Sequence, residues 1–89
     1  MEKCYAYLVQ CSDGTLYPGW TLDLDRRLQE HNEPNSKTKY TRTRQPVKLV
    51  YFEEFETRAK AAQREDQIKD LSRKDKILLI QKKHPEFTP

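Results

Sequence analysis

The sequence predicts a small α/β fold of the α+β type, in which a three-stranded, mainly antiparallel sheet is flanked by helices. Three observations lead to this prediction. Eighty-nine residues suffice for one domain, which we expect at residues 1–82, followed by a flexible C-terminal tail at residues 83–89. Two runs of alternating side chains enclose a tight turn, which indicates a hairpin. Capping residues and helical apolar spacing then extend the order to strand, strand, helix, strand, helix, helix.

The first two strands form a hairpin whose loop length decides which side chains share a face. A two-residue turn would pair Gln10 with Tyr17, whereas a three-residue loop with Gly14 in the left-handed conformation would pair Val9 with Tyr17. We favour the longer loop because it gathers tyrosines from both strands on one face, formed by Tyr5, Tyr7, Val9, Tyr17 and Gly19. The opposite face would then cover a layer of helices with Cys4, Ala6, Leu8, Leu16 and Trp20.

The first helix begins after Thr21, a residue type suited to capping, and runs to about Asn32. Successive side chains of a helix are about 100° apart, so one narrow sector faces inward. That sector is formed by Leu24, Leu28 and His31, with Arg27 at its border. We therefore predict that Arg27 and His31 form an i, i+4 pair that faces the core.

The second half of the chain predicts one more strand and two helices. The strand spans residues 47–55, and a helix follows from about Thr57. An apolar stripe along that helix is interrupted by Glu65, whose neighbours in the stripe are Ala61, Ala62, Ile68 and Leu71. A buried carboxylate is costly without a cation or an arginine beside it. Ser72, with Asp75 three residues later, caps a short last helix.

Positive charge is concentrated in one segment, although the net charge is only +3. No acidic residue lies between Glu33 and Glu53, and that window holds five cations: Lys37, Lys39, Arg42, Arg44 and Lys48. Cations neutralise phosphates, and Tyr40 in the same segment can stack on a base. The segment therefore predicts contact with nucleic acid, and a solvated loop is the alternative.

Membrane insertion and export are not expected. The longest apolar run is Ile77–Ile80, against about 20 residues needed to cross a bilayer, and the first residues lack the apolar region of a signal peptide. Cys4 and Cys11 lie too far apart along one strand to form a disulfide. We predict free thiols in a soluble protein of the cytoplasm.

Polar side chains from several elements are placed to meet on the tyrosine face, with Tyr40 at its rim. They are Tyr7, Tyr17, Arg27, His31 and Glu65. Each has a simpler explanation when taken alone, since a strand tyrosine is usually a core aromatic. Arg27 and Glu65 could form a salt bridge, and His31 could interact with the end of its helix dipole. Together they predict a functional site.

The order and spacing of these residues resemble the GIY-YIG endonuclease superfamily, and within it the small stand-alone bacterial proteins. The resemblance covers roughly residues 3–80, almost the whole chain. It is carried by Tyr5-Ala6-Tyr7, Tyr17-Pro18-Gly19-Trp20-Thr21, Asp25-Arg26-Arg27-Leu28-Gln29-Glu30-His31, Lys39-Tyr40-Thr41-Arg42 and Glu65. Either tyrosine motif alone would be weak, but two of them followed by the Arg-x3-His helix and a helical glutamate form a specific pattern.

The resemblance implies metal-dependent hydrolysis of phosphodiester bonds in nucleic acid. Glu65 would hold one divalent cation, most plausibly Mg²⁺ with Mn²⁺ as an alternative, and Arg27 would clamp the scissile phosphate. Tyr7 or Tyr17 would help to deprotonate the attacking water. The remaining two matched residues, which would orient the water or relay the proton, are His31 and Tyr40.

Three positions differ from the family pattern. Tyr5 stands where glycine is usual, and Trp20 stands where a small or β-branched residue is commoner. Pro18 cannot donate a hydrogen bond to a neighbouring strand, so the second strand must be an edge strand or bulged at that point. Trp20 would cover the site or add a stacking surface.

Three functions from different classes remain. The first is an endonuclease acting on DNA, structure-selective or weakly specific. We expect no appended DNA-binding domain, so specificity would come from the basic segment or from a partner protein. The second is a nucleic-acid-binding module that keeps the fold without turnover. The third is a protein-interaction adaptor, against which the inward carboxylate of Glu65 argues.

Overall fold

The computed structural model describes residues 3–34, 36 and 38–89, and for Lys39 it describes the backbone alone. The elements, in chain order, are β1 (Cys4–Gln10), β2 (Leu16–Thr21), α1 (Leu24–Asn32), α2 (Lys39–Arg42), β3 (Lys48–Phe55), α3 (Arg58–Lys69) and α4 (Arg73–Lys83). The sheet has the order β2-β1-β3, and β1 pairs antiparallel with both neighbours. The predicted fold class is therefore confirmed, with α2 as an addition.

The hairpin has the three-residue loop. Val9 pairs with Tyr17, and the Cys11 N–H donates to the Thr15 carbonyl at 2.9 Å. Gly14 has a φ of 86°, a conformation that a side chain disfavours. Pro18 lies on β2, an edge strand, so its missing N–H leaves the sheet intact. The register that places the tyrosines on one face is thus confirmed.

Helices cover both faces of the sheet. On one face Ala6 and Leu8 pack against Ile68 of α3 and Ile80 of α4. On the other, Tyr7, Val9 and partly buried Tyr17 pack against two leucines of α1, Leu24 and Leu28. The tyrosine face is therefore an inner layer, and any polar group on it must find a partner there.

Trp20 does not take the place predicted for it. It lies near the end of the edge strand, outside both core clusters, and is 36% exposed. Its prediction as a residue covering the helix layer is wrong because the alternation of the strand sets only its side of the sheet, and not whether a helix reaches that far along it.

The predicted cap of the last helix is confirmed, because Ser72 accepts a hydrogen bond from the Asp75 N–H at 3.1 Å. Thr57 caps α3 by accepting one from the Lys60 N–H at 3.2 Å. The cap of α1 is Asp23 instead of Thr21, and its Oδ1 accepts from the Arg26 N–H at 3.1 Å. A carboxylate caps at least as well as a hydroxyl and also interacts favourably with the helix dipole.

The basic segment is fastened to the domain at its C-terminal end. The side-chain amide of Asn32 donates to the Val47 carbonyl at 2.9 Å and accepts from the Val47 N–H at 2.7 Å. The Gln45 amide donates to the His31 carbonyl at 2.8 Å. Between these anchors α2 forms, and its Thr41 is completely buried. These bonds give the segment a fixed place beside α1.

The end of the chain turns back towards the core. Phe87 packs against the cluster that contains Ile80, and its carbonyl accepts from the Gln81 amide at 3.1 Å. Phe87 therefore contacts the domain from within the segment predicted as a flexible tail, residues 83–89. Within the described ranges, no helix is both long and apolar enough to span a bilayer.

Candidate active site

Tyr7 is the centre of a buried polar group on the inner tyrosine face. Its hydroxyl lies 2.9 Å from Nε2 of His31, and the Arg27 Nε–H donates to the same hydroxyl at 3.3 Å. Tyr7 comes from the central strand, and the other two come from consecutive turns of α1. The i, i+4 spacing was predicted to turn Arg27 and His31 inward, and in the structure both side chains contact the Tyr7 hydroxyl.

His31 is held at both ring nitrogens. Nδ1 lies 2.8 Å from the Thr41 hydroxyl, which in turn donates to the Thr38 carbonyl at 3.3 Å. We assign the ring proton to Nδ1, because the Thr41 hydroxyl can then accept from His31 while it donates to the Thr38 carbonyl. Nε2 is then the acceptor, so Tyr7 donates its own hydrogen to it. The bonds form a directed chain from Arg27 to the Thr38 carbonyl.

Burial determines the protonation state of the side chains in this hydrogen-bonded group. His31 is completely buried, and burial, reinforced by the charge of Arg27, lowers the pKa of His31 from 6.5 to about 4. The ring is therefore neutral at physiological pH, which argues against the alternative that it serves as a cation at the end of the α1 dipole. Burial also raises the pKa of Tyr7 above its ordinary value of 10, and Arg27 opposes that shift.

The low pKa of His31 predicts a specific loss of stability in acid. The unfolded chain binds the imidazole proton below pH 6.5, but the folded chain binds it only below about pH 4, so the free energy of unfolding falls as the pH drops through that window. At 1.36 kcal/mol per pH unit, the full span from 6.5 to about 4 is worth about 3 kcal/mol. Denaturant unfolding at pH 7, 5.5 and 4 should show that the wild type loses more stability than His31→Gln. Parallel curves for the two proteins would contradict the assignment.

Arg27 is the member of the group that solvent can reach. Its side chain is 34% exposed, and its guanidinium forms an ion pair with Glu30 at 3.5 Å, one turn along α1. Burial disfavours its charge, but Tyr7 and Glu30 outweigh that effect, and the pKa of Arg27 is raised overall. The alternative interpretation of the sequence paired Arg27 with Glu65, but in the structure the ion-pair partner of Arg27 is Glu30 of the same helix. Arg27 presents a permanent positive charge at the edge of the buried group.

Tyr17 and Tyr40 form an aromatic wall beside His31. Their rings stack with centroids 5.0 Å apart and an angle of 14° between planes, and the Tyr17 ring meets the edge of His31 at 5.9 Å. Arg44 lies 4.1 Å above the Tyr40 ring and pairs with Asp13 at 3.1 Å. Tyr40 therefore stands at the rim, as predicted, and Arg44 holds it there.

Glu65 is half-buried on α3. This helix contacts all three strands, and its buried Ile68 packs against Ala6 and Leu8. The prediction placed it on the tyrosine face, but the stripe of α3 belongs to the other layer. Burial is the main cause of the raised pKa of Tyr7, and the charge of Glu65 adds to it. Burial and the neighbouring Asp66 raise the pKa of Glu65 itself.

The side chains predicted to bind nucleic acid have different surroundings. Arg42 and Lys48 are exposed, the latter at the start of β3. Arg44 forms an ion pair with Asp13 and donates a hydrogen bond to the Tyr40 carbonyl, so its positive charge is already partly neutralised within the protein. Lys37 lies outside the described residues, as does the side chain of Lys39.

Thr41 is the residue of this group to which sequence reasoning gave no role. It belongs to a matched motif, but nothing in its spacing shows that it contacts His31, because that contact depends on α2. The sequence did contain one signal for such a residue. A buried imidazole needs a hydrogen-bond partner at each ring nitrogen, so the inward-facing His31 requires a second partner besides Tyr7.

Gly19 makes room for Tyr7. It pairs with Tyr7 across the hairpin, and a Cβ added at Gly19 would overlap the Tyr7 hydroxyl and ring. We expect Gly19→Ala to lower the free energy of unfolding by about 1–3 kcal/mol and to move the phenol away from His31. Thermal unfolding measures the first effect, and the NMR signals of the His31 ring report the second. Wild-type values in both measurements would show that the close approach is unimportant.

The donor set limits which metal could bind. Among residues 3–34, 36 and 38–89, no three His, Cys, Asp or Glu side chains come together as a metal cage. A structural zinc site is therefore not formed by these residues. A single, partly desolvated carboxylate such as Glu65 fits a magnesium ion, which keeps several waters and takes further oxygen from a phosphate.

Comparison with known proteins agrees with this geometry. Residues 3–78 match the family model described as the GIY-YIG catalytic domain. The chain belongs to the GIY-YIG family. Its GIY-YIG relatives include the UPF0213 protein of Syntrophus aciditrophicus, which is 49% identical over 86 residues, 97% of this chain and 98% of the relative. A UPF0213 protein of Clostridium perfringens is 49% identical over 79 residues, 89% of this chain and 84% of the relative.

Solved structures show the same GIY-YIG fold. The solution NMR structure of the protein EF2693 from E. faecalis has a TM-score of 0.62 at 37% identity, covering 100% of this chain and 94% of that one. The UPF0213 protein BH0048 from Bacillus halodurans has a TM-score of 0.56 at 38% identity, covering 88% and 82%. Both the family and the fold predicted from the tyrosine motifs are confirmed.

Proposed function

We propose that the protein is an endonuclease that hydrolyses phosphodiester bonds, with DNA as its substrate and a divalent cation as its cofactor. The observation that carries the proposal is the position of the Tyr7 hydroxyl between the Arg27 guanidinium at 3.3 Å and the His31 ring at 2.9 Å. A phenol poised between a fixed cation and a neutral base is arranged for proton transfer. The match to a catalytic domain supports the same class of reaction.

Arg27 would bind the scissile phosphate. Its charge is permanent and partly exposed, and its Nε–H is already directed towards Tyr7. The other guanidinium nitrogens can donate to phosphate oxygens, where negative charge grows as the water attacks. The Glu30 ion pair keeps the guanidinium in place before substrate arrives.

Tyr7 and His31 would take the proton from the attacking water. The water proton passes to the Tyr7 oxygen while the Tyr7 hydrogen passes to Nε2 of His31, so no free tyrosinate has to build up. This matters because the pKa of Tyr7 is raised, and a free phenolate would be rare at neutral pH. The water oxygen bonds to phosphorus, the bond to the leaving oxygen breaks, and that oxygen takes a proton from solvent. Thr41 keeps His31 in the tautomer that can accept.

Tyr17 and Tyr40 would shield this proton transfer from bulk water. The Tyr17 ring lies against His31, and Tyr40 stacks on Tyr17 and, at 38% exposure, reaches the surface where nucleic acid would pass. We assign them to orienting the water and substrate, with Tyr7 as the acceptor of the water proton.

Glu65 would hold the divalent cation, Mg²⁺ or Mn²⁺. The cation supplies charge stabilisation for the phosphate oxygens and the leaving group. Burial and Asp66 raise the pKa of Glu65 and Lys69 opposes them only in part, so a bound cation would stabilise the charged form further. Arg42 and Lys48, both exposed, would contact the phosphate backbone further along. The two cysteines are free and buried, which suits the reducing cytoplasm that we infer as the site of action.

A panel of substrates tests the proposal. Labelled single-stranded, duplex, flap and four-way DNA, with a matched single-stranded RNA, are incubated with Mg²⁺, Mn²⁺ or chelator, beside Glu65→Ala. We expect cleavage of at least one DNA substrate that requires metal and is lost in the variant. Salt-sensitive binding without any product would favour the binding module. The absence of both binding and product would favour the adaptor.

A further inference from the structure

A cavity opens beside the buried polar group, on the solvent side of Arg27. Its volume is about 330 Å³, and its walls include Trp20, Leu22, Asp23, Arg26, Arg27 and Glu30. The space on the other side of Arg27, among Tyr7, Leu28 and His31, is closed even to a water molecule. The cavity therefore offers a ligand an approach to Arg27 from solvent.

The cavity presents an unusual amount of apolar surface. Trp20 is 36% exposed and Leu22 is 40% exposed, in a chain of which 35% is charged. An indole at the end of an edge strand contributes nothing to the two core clusters. Aromatic rings beside cationic groups are the usual platform for an unpaired base, because every base has a flat face that can stack. The shape and composition of this wall therefore suit a flat aromatic ring.

The charged residues that line the cavity are balanced, two arginines (Arg26 and Arg27) against two carboxylates. Asp23 and Glu30 both line it, and the Glu30 carboxylate lies 3.5 Å from the Arg27 guanidinium. Carboxylates repel phosphate but accept hydrogen bonds from the amino and imino groups of bases. A phosphate would therefore bind at the Arg27 end, and the attached base would enter the cavity.

We propose that this cavity binds one unpaired nucleobase, stacked on Trp20, of the nucleotide whose phosphate lies at Arg27. The inference rests on the proposed function and names its substrate class: a single strand, or an unpaired stretch within a branched structure. A base in a duplex would first have to leave its stack, at a cost in binding free energy. Single-stranded nucleic acid should therefore bind better than a duplex of the same sequence.

Trp20 provides its own signal, because it is the only tryptophan in the chain. A 12-nucleotide single strand and the matching duplex are titrated into the wild-type protein in chelator, where cleavage cannot contribute. We expect the single strand to quench the tryptophan emission in a saturable manner and the duplex to quench it far less. Unchanged emission at a concentration of single strand that saturates binding in an anisotropy assay would overturn the proposal.

Substitutions then separate stacking from general binding. Trp20→Ala should weaken binding of the labelled single strand about tenfold and change duplex binding less than twofold, whereas Trp20→Phe should retain most of the affinity.

Phe52→Ala is the matched control, because Phe52 is also an exposed aromatic, on the opposite edge strand. Equal affinity of Trp20→Ala and wild type would overturn the proposal, and circular dichroism verifies that each variant is folded. If the protein cleaves DNA but Trp20→Ala changes neither binding nor emission, the base subsite is wrong and the nuclease proposal stands. If single-strand binding depends on Trp20 but no cleavage occurs, the nuclease proposal is wrong and the subsite stands.

Discussion

Glu65→Gln is expected to lower the rate of metal-dependent cleavage at least a hundredfold, on the order of what a lost catalytic metal ion costs. Glutamine has almost the same size as glutamate but no charge, and the oxygen that remains is a much weaker ligand for a hard cation. Because Glu65 lies on α3, away from the basic segment, the affinity for nucleic acid in chelator should change little. Single-turnover cleavage and anisotropy binding, measured on the same substrate, separate the two effects.

The same substitution tests the electrostatics of the fold. The pKa of Glu65 is raised by burial and by Asp66, so the neutral glutamine should leave the free energy of unfolding unchanged or slightly higher. Asp70→Asn, which removes an exposed carboxylate just after the end of α3, is the matched control and should cleave as the wild type does. Full activity of Glu65→Gln in Mg²⁺ would remove Glu65 from the site.

Arg27→Lys is expected to reduce cleavage by on the order of 10²–10³-fold, although the positive charge is kept. Lysine cannot donate to Tyr7 through a planar group and bind phosphate oxygens at the same time. It would also lose the geometry of the ion pair with Glu30. The rate constant at saturating protein should fall more than the affinity does, because the missing contacts matter most when charge develops on the phosphate.

The control for Arg27 is Arg64→Lys. Arg64 is also partly buried and ion-paired, at 2.8 Å to Glu53, but it lies far from Tyr7 in the hydrogen-bond network. Its replacement should affect stability and leave cleavage within about threefold of the wild type. If Arg27→Lys cleaves at the wild-type rate, the guanidinium has no special part in the reaction.

Short-range patterns determined most of the fold from the sequence. Gly14 fixed the loop, the loop fixed the register of Val9 with Tyr17, and the register placed both tyrosines on one face. The i, i+4 spacing of Arg27 and His31 was likewise enough to turn both towards Tyr7. These inferences succeeded because each depends on residues that are neighbours in one strand, loop or helix.

Features that depend on how elements pack were beyond the sequence. Glu65 was correctly placed among the partly buried residues of its helix, but periodicity cannot tell which face of the sheet that helix covers. The contact of Thr41 with His31 depends on α2, whose four residues carry no periodic signal. Arg44 counted as free charge in the sequence, whereas the fold brings Asp13 and Tyr40 to it.

The central claim is that the hydroxyl of Tyr7 takes part in the reaction, and removing that one oxygen tests it most directly. Single-turnover cleavage of a single-stranded DNA in Mg²⁺ is compared for wild type, Tyr7→Phe and Tyr51→Phe. Tyr51 is the matched control: it is buried on the other face, its hydroxyl donates to Glu53 at 2.6 Å, and burial raises its pKa to about 12. We predict that Tyr7→Phe is at least a hundredfold slower and that Tyr51→Phe stays within about threefold of the wild type. Cleavage by Tyr7→Phe at the wild-type rate would contradict the account.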